Sequence, residues 1–214
     1  MIKNRHEQMN KFNPLPRKFY EPSAEVVAPQ LLGHWLIRKT PQGICGGAIV
    51  ETEAYLVGDP AAHSYVGLTE RNRIMWGPPG HSYVYFIYGN HYCFNAVCHP
   101  AGSAEAVLVR AIEPRFGLEL MQARRVVAKP PNLTNGPGKL CAAMDIDRSL
   151  DGVDLCDGAS PLFIGQNPEL KAFLEQRGPV VTTTRIGINK AAAMPLRFFL
   201  GGSAFVSGPM RRNK

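Results

Sequence analysis

The chain has 214 residues, 45% of them apolar, and carries 24 Lys plus Arg against 17 Asp plus Glu, a formal net charge of +7. That length suits one domain with a sizeable core, and no apolar run reaches the roughly 20 residues of a membrane-spanning helix. The basic surplus suits a polyanionic partner, although ribosomal or membrane-surface contact would give the same sum.

Residues 1–18 form a basic lead expected to be flexible, with Pro14 and Pro16 preventing a helix across their junction. Residues 1–13 are polar and have no apolar segment, so they do not form a secretory signal. A short helix is expected from Ser23, which can N-cap it. Val26, Val27, Leu31 and Leu32 supply an apolar side, Gly33 can end it, and Pro29 is the discordant residue. Residues 34–40 spell a strand, 41–43 a turn and 44–56 the partner strand. In that partner, a period of two puts Glu51, Glu53 and Tyr55 on one face and Val50, Thr52, Ala54 and Leu56 on the other. A strand of this composition standing alone would be half solvated, with its acids in water.

Short helical turns are expected at 61–65 and 71–76, carrying His63 and Arg71-Asn72-Arg73. Taken singly, a lone His is usually structural and an Arg pair a solvated face. A rigid Gly77-Pro78-Pro79-Gly80 turn leads into two runs rich in β-branched and aromatic residues, which meet at Gly89-Asn90, a hairpin signal. Tyr88 then stands at the tip, either folded back as core or presented to a partner such as nucleic-acid bases. Residues 106–112 form a buried strand in which Arg110 is the single charge, and a guanidinium there needs a carboxylate or another acceptor.

Helices follow at 118–127 and 137–144. The second is preceded by Asn135-Gly136-Pro137-Gly138-Lys139, whose free N–H groups and Lys could seat a phosphate. It is not a P-loop, because Leu140 stands where Ser or Thr would hold magnesium. A strand at 162–165, a polar helix at 168–176, strands at 180–188 and 195–200, and a basic tail at 208–214 complete the chain. The expected fold is α+β: one domain, residues 19–207, with a curved, mainly antiparallel sheet, surrounding helices and a protruding β-hairpin. The five cysteines are odd in number and show no Cys-x-x-Cys spacing. Reduced, buried thiols in a cytosolic protein are expected, rather than disulfides or a zinc or iron–sulfur site.

Several stretches together are more specific than any alone: Glu53-Ala-Tyr55, Ala61-Ala-His63-Ser, Arg71-Asn-Arg73, Tyr83-Val-Tyr85-Phe-Ile-Tyr88-Gly, Asn95 and Val109-Arg110-Ala-Ile-Glu-Pro, then Gly136-Pro-Gly-Lys139-Leu-Cys and Pro195-Leu-Arg-Phe. In this order and spacing, over residues 19–206, the chain resembles the alkyladenine (3-methyladenine) DNA glycosylase family of the mammalian type. The resemblance implies a monofunctional enzyme that flips a damaged purine out of duplex DNA and hydrolyses its N-glycosidic bond, with no metal or cofactor. It also implies that Glu53 is the general base and that Arg110 holds it ionised and positions the water, with the Ile186 carbonyl as a further water ligand. Glu51 is the nearest rival for the base.

On the same resemblance, Tyr55, His63 and Tyr85 sandwich the extruded base, Asn95 disfavours guanine and Tyr88 fills the vacated space. Arg71, Arg73 and Lys139, and further Arg124 and Arg197, are candidate phosphate contacts. An affinity for DNA that falls steeply as salt rises is the expected result of a binding titration. Asn90 and His91 stand where mammalian members carry Met and Tyr, so the wedge is more polar here. A monomer is expected, working in the cytoplasm or, in a prokaryote, at the nucleoid. A non-catalytic binder of distorted DNA and an RNA-processing protein are the competing classes. A carboxylate on the pocket face favours the enzyme.

Overall fold

The computed structural model describes residues 12–127 and 129–208. The first eleven residues of the expected lead and the tail from 209 lie outside the described residues. Eight strands form in chain order: β1 (Trp35–Thr40), β2 (Gly43–Tyr55), β3 (Ser82–Ile87), β4 (His91–Cys98), β5 (Glu105–Phe116), β6 (Leu162–Gly165), β7 (Val180–Thr183) and β8 (Arg197–Leu200). All pair antiparallel, in the order β3-β4-β5-β2-β1-β6, with β8 attached to β2 and β7 to β8. Four helices, α1 (Ala24–Gln30), α2 (Leu118–Arg124), α3 (Pro137–Met144) and α4 (Leu170–Arg177), complete an α+β fold around an open sheet.

Strand β2 is the trunk. β5 flanks it on one side along almost its whole length, whereas on the other side β1 pairs with residues 43–48 and β8 with residues 51–53. Residues 45–54 are all buried, so the half-solvated strand expected from alternation is not found. Helix α1 covers the Val50–Thr52–Ala54 face, where Thr52 Oγ1 donates to the Ala28 carbonyl at 2.9 Å. On the opposite face the acids meet arginines and backbone N–H groups instead of water. The register with β5 shifts between Ile49 and Glu51 and again between Glu51 and Thr52. Val50 and then Arg110 are thereby left without a direct partner. Such bulges re-aim side chains, and here one falls at Arg110, the single charge between positions 106 and 112.

Other boundaries move for local reasons. Ser23 makes no side-chain cap; the first N–H of α1, at Ala24, is taken by Glu105 Oε2 at 2.7 Å. Pro29 falls in the last turn of this seven-residue helix, where it breaks little. Residues 12–18, placed in the lead by sequence, are held to the domain: Leu15 is buried and bonds the Ile164 carbonyl, and Arg17 pairs with Asp154 at 2.6 Å. The strand expected over 180–188 ends at Thr183, because Arg185 turns into the interior and Gly187 takes a φ of 76°.

The outer edge of β3 is closed by the segment after α3. Val84 donates to Asp151 Oδ1 and accepts from Arg148, both at 2.8 Å, while the main chain of Ser82 bonds Gly152 and Val153. Pairing at Ser82 and Val84 takes up edge groups that would otherwise attract another chain. At the tip, Ile87 pairs with His91, so the connection is Tyr88-Gly89-Asn90 rather than Gly89-Asn90 alone. Tyr88 and Gly89 have φ of 54° and 72°, the left-handed pair of a type I′ turn. For a tyrosine that conformation costs of order 1–3 kcal/mol and points to function. The residue is 77% exposed, which excludes the folded-back alternative.

Candidate active site

The period of two builds a cavity on the face of the sheet opposite α1. Tyr83, Tyr85 and Ile87 of β3, Cys93 and Asn95 of β4, Ala106, Leu108 and Arg110 of β5 and Tyr55 of β2 all line it. Cross-strand pairs Tyr83 with Asn95, Tyr85 with Cys93 and Asn95 with Leu108 set these side chains side by side. Ala61 and His63, Met75, Pro137 of α3 and residues 186–188 close the walls, and Tyr88 stands at the rim. The volume is about 250 Å³, at the small end for ligand pockets and suited to one flat ring system.

Glu53 does not itself line the cavity. It is fully buried one layer beneath, and each of the three groups that hold it does line the cavity. Tyr55 donates its hydroxyl to Oε2 at 3.0 Å, Arg110 Nη1 lies 3.1 Å from the same oxygen, and the Ile186 N–H donates to Oε1 at 2.8 Å. The carboxylate is thus gripped at both oxygens, with lone-pair capacity left at Oε1. Burial, and then the charge of Glu53, pushes the Tyr55 hydroxyl far above its ordinary pKa, so it acts here as a donor.

Glu51, the rival acid, is engaged differently. Its Oε1 accepts from Arg110 Nε at 3.0 Å, Arg197 Nε at 2.7 Å and Ser207 Oγ at 2.7 Å, and its Oε2 from the Ser207 N–H at 2.6 Å. Two carboxylates and two guanidiniums therefore form one buried cluster of zero net charge. Burial opposes the charge of Arg110, but the facing Glu53 and Glu51 outweigh it and its pKa is raised. The cluster turns Arg110 edge-on so that Nη1 is left for Glu53. Arg197 is buried within it and does not face phosphates, a correction to its candidacy from sequence.

The aromatic wall is mutually fixed. His63 Nδ1 lies 2.8 Å from the Tyr83 hydroxyl, and the His63 ring meets Tyr85 edge-on at 4.4 Å between centroids. Asn95 donates to the Tyr83 carbonyl at 3.1 Å. Arg71 is exposed, stacks on Tyr85 at 5.4 Å and donates to the Phe86 carbonyl. Arg73 is exposed and pairs with Glu70. Lys139, in the first turn of α3, bonds Asn135 Oδ1 at 2.9 Å. Arg124 is part-buried between Cys45 and the Ala143 carbonyl at the end of α3.

Burial, and after it the charge of Arg71, lowers the His63 pKa to about 4, so the ring is neutral at pH 7. An NMR titration should give its midpoint near that value. The unfolded chain binds this proton first, so the stabilisation is complete above about pH 6.5 and is lost as pH falls toward 4. His34, lowered to about 4 by burial, acts in the same direction. His63→Gln should flatten part of that decline in melting temperature.

Sequence reasoning missed the buried pair Asp59–Arg185 and the Ser207 segment. Arg185, the single charge in Val180-Val-Thr-Thr-Thr-Arg185-Ile, carried the same signal as Arg110; Asp59, in a Gly-Asp-Pro turn, carried none.

A buried acid held under an aromatic cavity of this size is the arrangement of a hydrolase for a flat, ring-bearing substrate. Comparison with known proteins narrows the class. Residues 18–204 match the family model described as methylpurine-DNA glycosylase. The chain is 53% identical over 194 residues to a protein of Methanoculleus marisnigri, covering 90% of this chain and 98% of that one. It is 45% identical over 193 residues to one of Carboxydothermus hydrogenoformans (90% and 98%), and 47% over 201 residues to one of Rhodopseudomonas palustris (92% and 92%). Each bears the name "Putative 3-methyladenine DNA glycosylase". The chain belongs to the methylpurine-DNA glycosylase family, and it is a DNA glycosylase, a hydrolase acting on alkylated bases in DNA. These relatives are archaeal and bacterial, so the family carries over from the sequence resemblance and its mammalian qualifier does not. Among the described residues, no helix is long and apolar enough to cross a membrane.

Proposed function

We propose that this protein removes alkylated and deaminated purines (3-methyladenine, 7-methylguanine, hypoxanthine and ethenoadenine) from duplex DNA as a monofunctional enzyme, by extruding the nucleotide into the cavity between Tyr55, His63 and Tyr85. The observation that carries this is Glu53, a fully buried carboxylate held by three groups of the cavity lining. In this reading Glu53 takes a proton from water, the water oxygen attacks C1′ and the bond from C1′ to the purine nitrogen breaks with its electron pair going to the purine, leaving an abasic sugar. A cationic alkylpurine thereby departs neutral, and a neutral purine takes up a proton from solvent as it departs. The oxocarbenium-like transition state gains from the nearby carboxylate, and Arg110 keeps that carboxylate anionic.

The exposed, left-handed Tyr88 enters the space the base leaves, from the minor groove. A damaged or mispaired base is the cheapest to extrude. Neutral His63 adds no charge against a cationic purine, and aromatic faces attract one. Asn95 faces the purine edge and disfavours a 2-amino group. Arg71, Arg73 and Lys139 grip phosphates around the tip.

The test is a panel of duplexes, each with one lesion, assayed under single-turnover conditions for free base. Release of the free purine with an intact abasic strand is the expected result. Strand cleavage, or tight binding without base release, would reject the proposal. A matched RNA duplex is expected to give no release.

A further inference from the structure

Asp59 and Arg185 form an ion pair that no step above uses, and both side chains are completely buried. Asp59 lies in the turn after β2, and Arg185 lies just past β7. The guanidinium grips the carboxylate with two nitrogens, Nη2 standing 3.0 Å from Oδ1 and Nη1 bonding Oδ2. Nη1 also donates to the Ala54 carbonyl at 3.0 Å, and the guanidinium carbon lies 4.6 Å from the centre of the Tyr55 ring. Asp59 Oδ1 accepts in addition the N–H of Ala61 at 2.9 Å, at the start of the loop that carries His63.

The ion pair thus ties three walls of the cavity together: Arg185 bonds the end of β2, Asp59 bonds the start of the His63 loop, and each holds the other beside the 185–188 segment. Arg185 bears directly on two of the three groups that grip Glu53. It stacks on Tyr55, whose hydroxyl bonds Oε2, and, held by Asp59, it fixes the main chain next to Ile186, whose N–H bonds Oε1. Burying two charges gains little stability over a well-packed apolar pair. The planar guanidinium, by contrast, fixes direction as well as distance.

We propose that Asp59 and Arg185 are positioning residues for catalysis: they hold the Tyr55 hydroxyl and the Ile186 amide so that Glu53 presents its lone pairs in one direction. This rests on Glu53 being the base. Neither residue touches the substrate; both act through Tyr55 and Ile186.

The test uses the full-length protein and the lesion duplex that the wild type processes fastest, with Asp59→Asn, Arg185→Lys and Glu53→Gln compared. Asp59→Asn keeps size and the acceptor for Ala61 while removing the charge. Arg185→Lys keeps the charge but loses the planar fork, and it carries the test should Asp59→Asn not fold. Small misplacements of a catalytic group cost up to about 100-fold in rate. The single-turnover rate is therefore expected to fall about 10- to 100-fold in both variants, while the Kd for the duplex stays within about twofold. Variants that melt lower yet keep the wild-type rate, or that lose rate and affinity in parallel, would show the pair to be scaffolding only. With Glu53→Gln inactive and the other two at wild-type rate, this proposal alone fails. An active Glu53→Gln would remove the assignment of the base and this proposal with it.

Discussion

Replacing Glu53 with Gln is expected to lower the single-turnover rate of base release by about 1,000-fold, with Kd for the lesion duplex changed by no more than a few-fold. A positioned general base contributes on the order of 10²- to 10⁴-fold, and Gln has no basic oxygen to offer. The substitution also puts an NH2 where Arg110 Nη1 or the Ile186 N–H now donates, so one donor is left facing another. The fold should survive, because Arg110 and Arg197 keep their contacts to Glu51. Rates above a tenth of wild type would mean that another group activates the water. Glu51 is the only other acid of that strand face, and its oxygens already accept four hydrogen bonds.

The second large effect is on folding. Arg110→Met removes the guanidinium that faces both buried acids, leaving Glu53 without a cationic partner and Glu51 with Arg197 alone. Breaking a buried pair by deleting one partner costs about 3–5 kcal/mol. For a chain of this size that lowers Tm by roughly 6–20 °C. Circular-dichroism melting checks it, and a double variant, Arg110→Met with Glu51→Gln, should recover part of the loss because one of the two stranded charges is gone. If the single variant melted with the wild type, the cluster would have no part in stability. Base release is expected to be lost in both.

Much of this arrangement was legible because the signals were local. The β3–β4 hairpin, the helix at Pro137–Met144 and the strand at Leu162–Gly165 follow from runs, a proline at the first helical position and flanking turns. Arg110 stood out as one charge in an apolar strand, and its need for a carboxylate is met twice over. What escaped was set by pairing over long separations. Ser207 meets Glu51 from 156 residues away, and Arg185 meets Asp59 from 126. No periodicity records such contacts. For the same reason Arg197 resembled a surface cation until the fold carried it beside Glu51, and residues 184–188 resembled strand until a buried acid drew Arg185 inward. The burial of Glu51 and Glu53 was likewise invisible, since alternation gives two faces but not what covers them.

Strand β2 serves both arms where the sheet forks, and this limits how the gene can change. Adding or deleting a single codon between positions 43 and 50 would rotate everything downstream by one side-chain step. Thr52 and Ala54 would come up beneath the cavity, and both acids would be pressed against the apolar side of α1. Length differences tolerated during evolution therefore belong in exposed connections such as 100–103 and 189–194, and mutagenesis libraries should leave this strand at constant length.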